Sequence, residues 1–415
     1  MRDNRLRSAL QEKRFFCSAE LILNRDHTVP EAETFVRDAA REPDGIKIIS
    51  LTDLPGGNPA LPPEGFASAI VDSGLTPIAH LTGKDGNRSI VEGRLHSLAR
   101  MGVENILALT GDAQKAGFQG KAKPVYDLDS VLILWLIKAM CEGIEYTVGA
   151  RSTRSTPFDF LAGGVVNPFK TREPDQMMQF YKLELKIALG CRFVITQLGF
   201  NLRKLYEAKQ YMVREGLDHV PLIANVYVPT ATVARMMKAG EVAGCVIPDE
   251  LIRRLEKEKK PQRLERAALM VAAAQELGFA GVHVGGFGLT HRDFMTILER
   301  AAVVGRDWRN KYDELFFESP DEFYLFSRRQ DGLSDGTSPY QSRQIKSHLA
   351  WKQRLPLLIH SALIRKGSLG ARLLSAGLKT NGKDKEGQSW RKGFWYRAQD
   401  RNSAGWKHCP YVHSM

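Results

Sequence analysis

Nothing in this 415-residue chain is apolar for long enough to span a bilayer, and the Arg- and Lys-rich Met1 to Arg14 leads into no apolar core of the kind a secretory signal carries. A cytoplasmic protein is expected. Cysteine is scarce: Cys17, Cys141, Cys191, Cys245 and Cys409 lie far apart, form no C-x-x-C pair and are odd in number, which disfavours both a disulfide framework and a zinc site. The first four read as core-packing residues, and no metal is expected. No G-x-G-x-x-G opens a strand-turn-helix, so a Rossmann dinucleotide fold has no support.

With 43% hydrophobic and 26% charged residues the composition is that of a globular enzyme, with room for one barrel and an appendage. The charge is unevenly placed. From Arg328 onward there are 17 Lys and Arg against 5 Asp and Glu, so the whole net charge of +12 sits in the last fifth of the chain. The breaker-rich Asp331 to Pro339 supports a boundary near residues 303 to 330. Three parts are expected: an N-terminal arm over residues 1–13, a barrel over 14–302, and a basic, mainly helical or irregular extension over 303–415. In the extension, Pro356 to Ala376 carries apolar residues at helical spacing, and Trp390, Phe394, Trp395, Tyr396 and Trp406 are scattered among later Lys and Arg. Such mixtures can bind single-stranded nucleic acid. No stacking-module signature accompanies them, so nucleic-acid binding is disfavoured against a domain or subunit contact.

What the chain does have is eight short apolar runs, most of them ending on a polar residue or a glycine. Phe15 to Ala19 ends on Glu20, Ile46 to Leu51 on Thr52, Pro77 to Ala79 on His80, and Asn105 to Leu109 on Thr110-Gly111-Asp112. Phe160 to Val166 ends on Asn167, Arg192 to Thr196 on Gln197, Leu222 to Ala224 on Asn225, and Val282 to Val284 on Gly285-Gly286. Amphipathic segments follow them: Glu31 to Arg41, Glu64 to Ser73, Ser89 to Met101, Ser130 to Glu142, Asp175 to Leu189, Leu202 to Glu215 and Arg263 to Leu277. That repeat predicts an α/β fold, a (β/α)8 TIM barrel, in which the carboxyl ends of all strands converge on one mouth. Two connections, Ala113 to Leu128 and Tyr146 to Asp159, exceed what a packed barrel needs and are expected to cover a ligand there. A charged helix, Glu250 to Lys260, is expected over the exit of the seventh strand.

Several runs are more specific than a generic barrel. Ala19-Glu20, Ile48-Ile49-Ser50-Leu51-Thr52, Pro77-Ile78-Ala79-His80-Leu81-Thr82, Asn105 to Asp112, Val125 to Ser130, Gly163 to Pro168 and Phe193-Val194-Ile195-Thr196-Gln197 follow one another in the order and spacing of the methylenetetrahydrofolate reductases, which the chain resembles over about residues 14 to 302. The resemblance implies a flavin-containing barrel that passes a hydride from NADH or NADPH through FAD to 5,10-methylenetetrahydrofolate, giving 5-methyltetrahydrofolate.

On that resemblance, Glu20 is the acid that protonates the departing ring nitrogen of the folate, and Asp112 lies near the flavin ring and tunes hydride donation. A carboxyl ending an apolar strand is also poised for a raised pKa by partial desolvation. Gln197 is implied to bind the pterin through its donor-and-acceptor amide. Thr52, His80, Thr110, Gly111, Asp112, Tyr126, Ser130, Asn167 and Lys186 are implied flavin contacts, Lys186 at the phosphates. Simpler roles stay open for each: a salt-bridged Glu20, a Gly-Asp turn at Asp112, a strand terminator at Gln197, a structural His80 and a solvated Lys186. Departures from the family pattern include Leu21-Ile22-Leu23-Asn24 after the acid, Thr110 where many members have Arg, and an extension holding only Cys409 beside His408 and His413.

The expected partners are a folate substrate, a second copy of the chain, and a redox or one-carbon protein at the extension. The alternatives are a flavin-free folate barrel acting as a methyltransferase or auxiliary subunit, and a barrel serving as scaffold for the basic tail.

Overall fold

The computed structural model describes residues 3–23, 29–115, 117–242, 244–319 and 322–338. The helix expected over Pro356 to Ala376, the tail aromatics and Cys409, His408 and His413 lie outside the described residues. In chain order the strands are β1 (Phe16–Leu21), β2 (Ile48–Leu51), β3 (Thr76–Thr82), β4 (Asn105–Leu109), β5 (Glu145–Val148), β6 (Arg151–Arg154), β7 (Leu161–Val166), β8 (Phe193–Thr196), β9 (Leu222–Tyr227) and β10 (Gly281–Gly285). β5 and β6 pair with each other, and the other eight close a parallel barrel in sequence order, with β10 beside β1. This is the (β/α)8 barrel expected from the apolar runs.

The helices are α1 (Arg5–Gln11), α2 (Val29–Arg41), α3 (Ala67–Asp72), α4 (Arg88–Arg100), α5 (Ser130–Glu142), α6 (Glu173–Ala188), α7 (Leu202–Arg214), α8 (Ala231–Lys238), α9 (Asp249–Leu255), α10 (Lys260–Glu276) and α11 (His291–Val304). Each barrel strand feeds at least one of them. Strand side chains alternate between the two faces of the wall, and here both faces are buried, which is why the strands read as continuous apolar runs. Ala19, Ile49, Ala79, Ala108, Val194, Ala224 and Val284 belong to the cluster that includes the helix faces. Phe16, Ile48, Ile78, Leu107, Phe193, Ile195 and Ile223 form a separate cluster inside the barrel.

That inner cluster also contains Leu6 and Ala9 of α1. The basic arm is therefore a capped helix that seals the amino-terminal end of the barrel. Asn4 caps it by accepting from the Arg7 N–H, and the Asn4 amide donates to Glu104 and Asn105 at the start of β4. A hydrogen bond from Arg5 N–H to Thr76 ties it to β3.

The Tyr146 to Asp159 connection does not cover the mouth. It follows α5 and precedes β7, and a helix after a barrel strand returns the chain to the amino-terminal end, so the segment must lie there. It folds as the fully exposed β5–β6 hairpin. Ala113 to Leu128 does lie at the carboxyl end, between β4 and α5, and α9 packs against α8 after β9.

Compactness continues past α11. The compact unit that holds the barrel runs on through the last described residue, Ser338. After a 3-10 segment, Gly305–Glu314, residues 315–319 and 322–338 form a strap that returns along α7 and buries Leu315, Phe317, Leu325, Phe326 and Leu333.

Candidate active site

Towards the carboxyl end the inward positions turn polar. Ser18 and Glu20 on β1, Ser50 on β2, His80 on β3 and His283 on β10 share the interior above the apolar cluster. His283 Nδ1 lies 2.9 Å from Ser18 Oγ, and its Nε2 stands 3.6 Å from Glu20 Oε1. His80 Nε2 lies 2.7 Å from Ser50 Oγ. One donor atom each from Glu20, His80 and His283 fall within 4.8 Å of one another, a convergence that can share a proton or hold an ion. Gly285 leaves the acid its room, because a Cβ there would come 2.6 Å from Glu20 Oε2.

The electrostatics reverse one expectation. Burial pushes the Glu20 carboxyl up, but its interaction with His283 and the charges of His283 and His80 outweigh burial and leave it below its ordinary 4.5. A desolvated carboxyl is raised only when no cation or donor answers it. His80 is driven down to about 4, chiefly by burial, so its ring is neutral at pH 7.

The exits of β2, β3 and β4 form the next part of the rim. Thr52 Oγ1 accepts from the Leu23 N–H and fixes the chain leaving β1. Asp53 accepts from Thr82 N–H and Oγ and is held by both terminal nitrogens of Arg94. Thr110 Oγ lies 3.2 Å from Ser130 Oγ at the start of α5, joining two proposed flavin contacts. Gly111 adopts φ +95, in the left-handed region, and a Cβ there would press on Thr82 at 3.1 Å. Asp112 next to it is raised above its ordinary value by burial, against the opposing pull of Lys115, Lys84 and the Gly56 N–H. Tyr126 stands exposed on the rim at φ +51.

Next round the mouth, beside β4, Asn167 and Gln197 follow β7 and β8. Asn167 Nδ2 donates to the Gly244 carbonyl at 2.8 Å, and a Cβ on Gly244 would meet the Gln197 and Asn167 amides at 3.4 and 3.5 Å. The loop between α8 and α9 therefore bends over both amides. It carries Cys245, which packs with Phe200 and Ile247 as a core residue would. Its thiol is also pushed up to about 12, first by burial and then by the negative charges of Asp112 and Glu20, which places it beside the mouth.

Lys186 lies elsewhere. It is buried on the outer, helix-facing side of β7, its Cδ 3.2 Å from where a Cβ of Gly164 would stand, and its Nζ donates to the Val165 carbonyl. Burial lowers it to about 8. Its neighbour Lys182 pairs with Asp129, which caps α5.

Sequence reading missed His283, Ser18 and Ser50. The signal was present: His283 is flanked by Val282 and Val284, and alternation along a strand puts it on the opposite face from both, in phase with Glu20 across the β1–β10 pairing.

Fold and site together define a (β/α)8 barrel whose carboxyl-end mouth holds an acid, two histidines and two amides. The chain belongs to the methylenetetrahydrofolate reductase family, whose sequence profile matches residues 5–290. No curated protein matches it. Among solved structures it is similar to an uncharacterised protein from Clostridium thermocellum that binds two copies of 5-methyl-5,6,7,8-tetrahydrofolic acid, at 14% identity over 72% of this chain and 99% of that one, with a TM-score of 0.47. It is also similar to a 2,3-dimethylmalate lyase of the PEP mutase/isocitrate lyase superfamily, at 13% identity over 92% and 98% of the two chains (TM-score 0.40). A putative deoxyribose-phosphate aldolase from Toxoplasma gondii matches at 12% identity over 71% and 96% (TM-score 0.35). No helix among the described residues is long and apolar enough to cross a membrane.

Proposed function

We propose that this chain interconverts 5,10-methylenetetrahydrofolate and 5-methyltetrahydrofolate, using FAD and NADH or NADPH. The observation that carries the reading is Glu20, held inside the mouth against the Ser18–His283 pair, in a chain of this family. The residues present fit a flavin: Gly111 gives close backbone approach, Thr52, His80, Thr110, Asp112 and Asn167 stand at or just past the ends of the consecutive strands β2, β3, β4 and β7, Ser130 meets Thr110, and Tyr126 is exposed beyond them. Bound there, FAD would store the electrons between the nicotinamide and folate half-reactions.

The protein's own part is proton management and orientation. Opening the folate's five-membered ring requires a proton on the departing nitrogen, and closing it requires a base to take that proton back. Held below its ordinary pKa, Glu20 stands as a carboxylate, which can accept a proton but is a weaker base for the shift. To act as acid it must first be loaded, and His283, bridging Ser18 Oγ and Glu20 Oε1, is placed to pass one on. The Gln197 amide offers a donor and an acceptor to the pterin. Its Oε1 accepts from the Leu198 N–H. Asp112, charged and half-buried, would oppose negative charge on the flavin ring.

Glu20→Gln tests this. Flavin reduction by the nicotinamide should stay within about twofold of wild type while folate turnover falls by ~10² or more, the scale of a lost general acid or base. Equal losses in both half-reactions would remove Glu20 from the role. A protein that neither takes up FAD nor bleaches with a nicotinamide or 5-methyltetrahydrofolate in anaerobic visible spectra would instead favour the flavin-free folate barrel.

A further inference from the structure

Four polar residues at the N-cap and in the first turns of α7 are buried: Asn201, Arg203, Lys204 and Glu207. Burying that much charge and amide is costly unless each group is answered. All four are answered by the strap of residues 315–319 and 322–338. Asn201 Nδ2 donates to Glu322 Oε2 at 2.9 Å and to Tyr324 Oη at 2.7 Å. Arg203 donates to the Phe326 carbonyl and lies over the Tyr324 ring, 3.7 Å from its centre. Glu207 accepts from the Leu325 and Phe326 N–H groups and from Ser334 Oγ. Lys204 Nζ donates to the Phe323 carbonyl at 2.6 Å and to the Lys170 carbonyl at 3.1 Å.

The same segment grips the two loops that carry the mouth amides. Its Phe323 N–H donates to the Thr171 carbonyl, four residues after Asn167, and its Phe316 bridges antiparallel to Asn201, four residues after Gln197. The two loops also touch directly, since a Cβ on Gly199 would stand 2.3 Å from the Phe169 ring. We propose that Asn201 and Lys204 are positioning residues, and that through them the strap sets where Asn167 and Gln197 stand, so that pterin affinity depends on a segment beyond α11. This rests on the folate reading above.

Asn201→Asp separates positioning from folding. The carboxylate keeps the Oδ acceptor that caps α7 at the Arg203 and Lys204 N–H groups, so the helix start survives. It loses both Nδ donors and sets a second carboxylate against Glu322, whose carboxyl burial has already raised. Lys204 and Tyr324 also face Glu322, and Arg203, Glu207 and Glu318 lie in the same network. With 5-methyltetrahydrofolate as the probe in calorimetric titration of the full chain, Kd should weaken by about tenfold at pH 8, since small misplacements of a binding group carry such losses. It should recover towards the wild-type value by pH 6, as one of the paired carboxyls takes a proton and restores the bond. The melting temperature should change little. Tyr324→Phe, which leaves α7 untouched, should weaken binding by about threefold, as expected for one hydrogen bond, at either pH.

A wild-type protein that does not bind the methylfolate would overturn the folate reading and this inference with it. Wild-type binding matched by both variants at both pH values would overturn the positioning role alone. So would a loss that does not recover at pH 6 and that follows the melting temperature, because the strap would then be serving the fold only.

Discussion

The two ends of the barrel are built from the same eight strands and have opposite interiors. Near the amino-terminal end the inward residues are Phe16, Ile48, Ile78, Leu107 and Phe193, closed from below by Leu6 and Ala9. Two residues further along β1, β2 and β3 the inward positions are Ser18, Ser50 and His80, and then Glu20, while β4 and β8 stay apolar at Leu109 and Ile195. A period of two is all that separates a plug from a site. The packed end carries stability and needs no chemistry. The polar end keeps buried polar groups whose cost it offsets only by pairing them with one another.

The largest effect that should expose this division is Phe193→Ala. The ring fills the space that Gly163 leaves open, where a Cβ would stand 2.2 Å from it. Removing it should cost about 3 to 5 kcal/mol, the range for a buried aromatic and the cavity left behind. Urea unfolding would measure the loss, and methylfolate Kd for the folded fraction should stay within about twofold if the two ends act independently. A large change in Kd at an unchanged unfolding midpoint would break the comparison.

The polar end should announce itself in acid. His80 has a folded pKa of about 4 against an ordinary 6.5, so between those values the unfolded chain binds a proton that the folded chain refuses. Stability must therefore fall as pH drops from about 6.5 to 4, by at most about 3 kcal/mol, and be unaffected by this group above pH 7. Glu20, with its carboxyl below 4.5, loses its contribution only in still more acidic solution. His80→Asn should flatten the difference across the upper window, and wild-type and variant stability curves that run parallel from pH 7 to 4 would refute the assignment.

How much of this was legible in the sequence follows from the same periodicity. Strand positions and the helices after them were readable because burial on both faces of a parallel barrel writes unbroken apolar runs. Strand ends were less so. β3 continues through His80 to Thr82 and β9 through Asn225 to Tyr227, because polar residues at the mouth interrupt the run without ending the strand. The Tyr146 to Asp159 connection lies at the opposite end from the one expected, since length alone does not say on which side of a helix a connection lies. The sign of the Glu20 shift needed His283, some 260 residues away in sequence and adjacent only once the barrel closes. The strap was hidden for a related reason: its grip on α7 runs through side chain to backbone bonds that no pattern of apolar residues records.

A smaller effect sharpens the comparison at the sealed end. Asn4 does two things at once, capping α1 at the Arg7 N–H and donating its amide to Glu104 and Asn105 below the barrel floor. Asn4→Ala removes both and should cost about 1 to 2 kcal/mol, the usual loss of a cap plus a partly buried hydrogen bond. Asn4→Ser keeps a capping oxygen but is too short to carry both donations, so it should recover roughly half of that loss. Full recovery would make α1 a helix that merely sits on the floor, its sealing done by Leu6 and Ala9 alone. No recovery would make the Asn4 amide's bonds to β4 the tie that holds the plug in place. In either case hydrogen exchange should quicken in α1 and at the start of β4 while the amides around Glu20 keep their protection, because local opening at the floor leaves the mouth's hydrogen bonds intact.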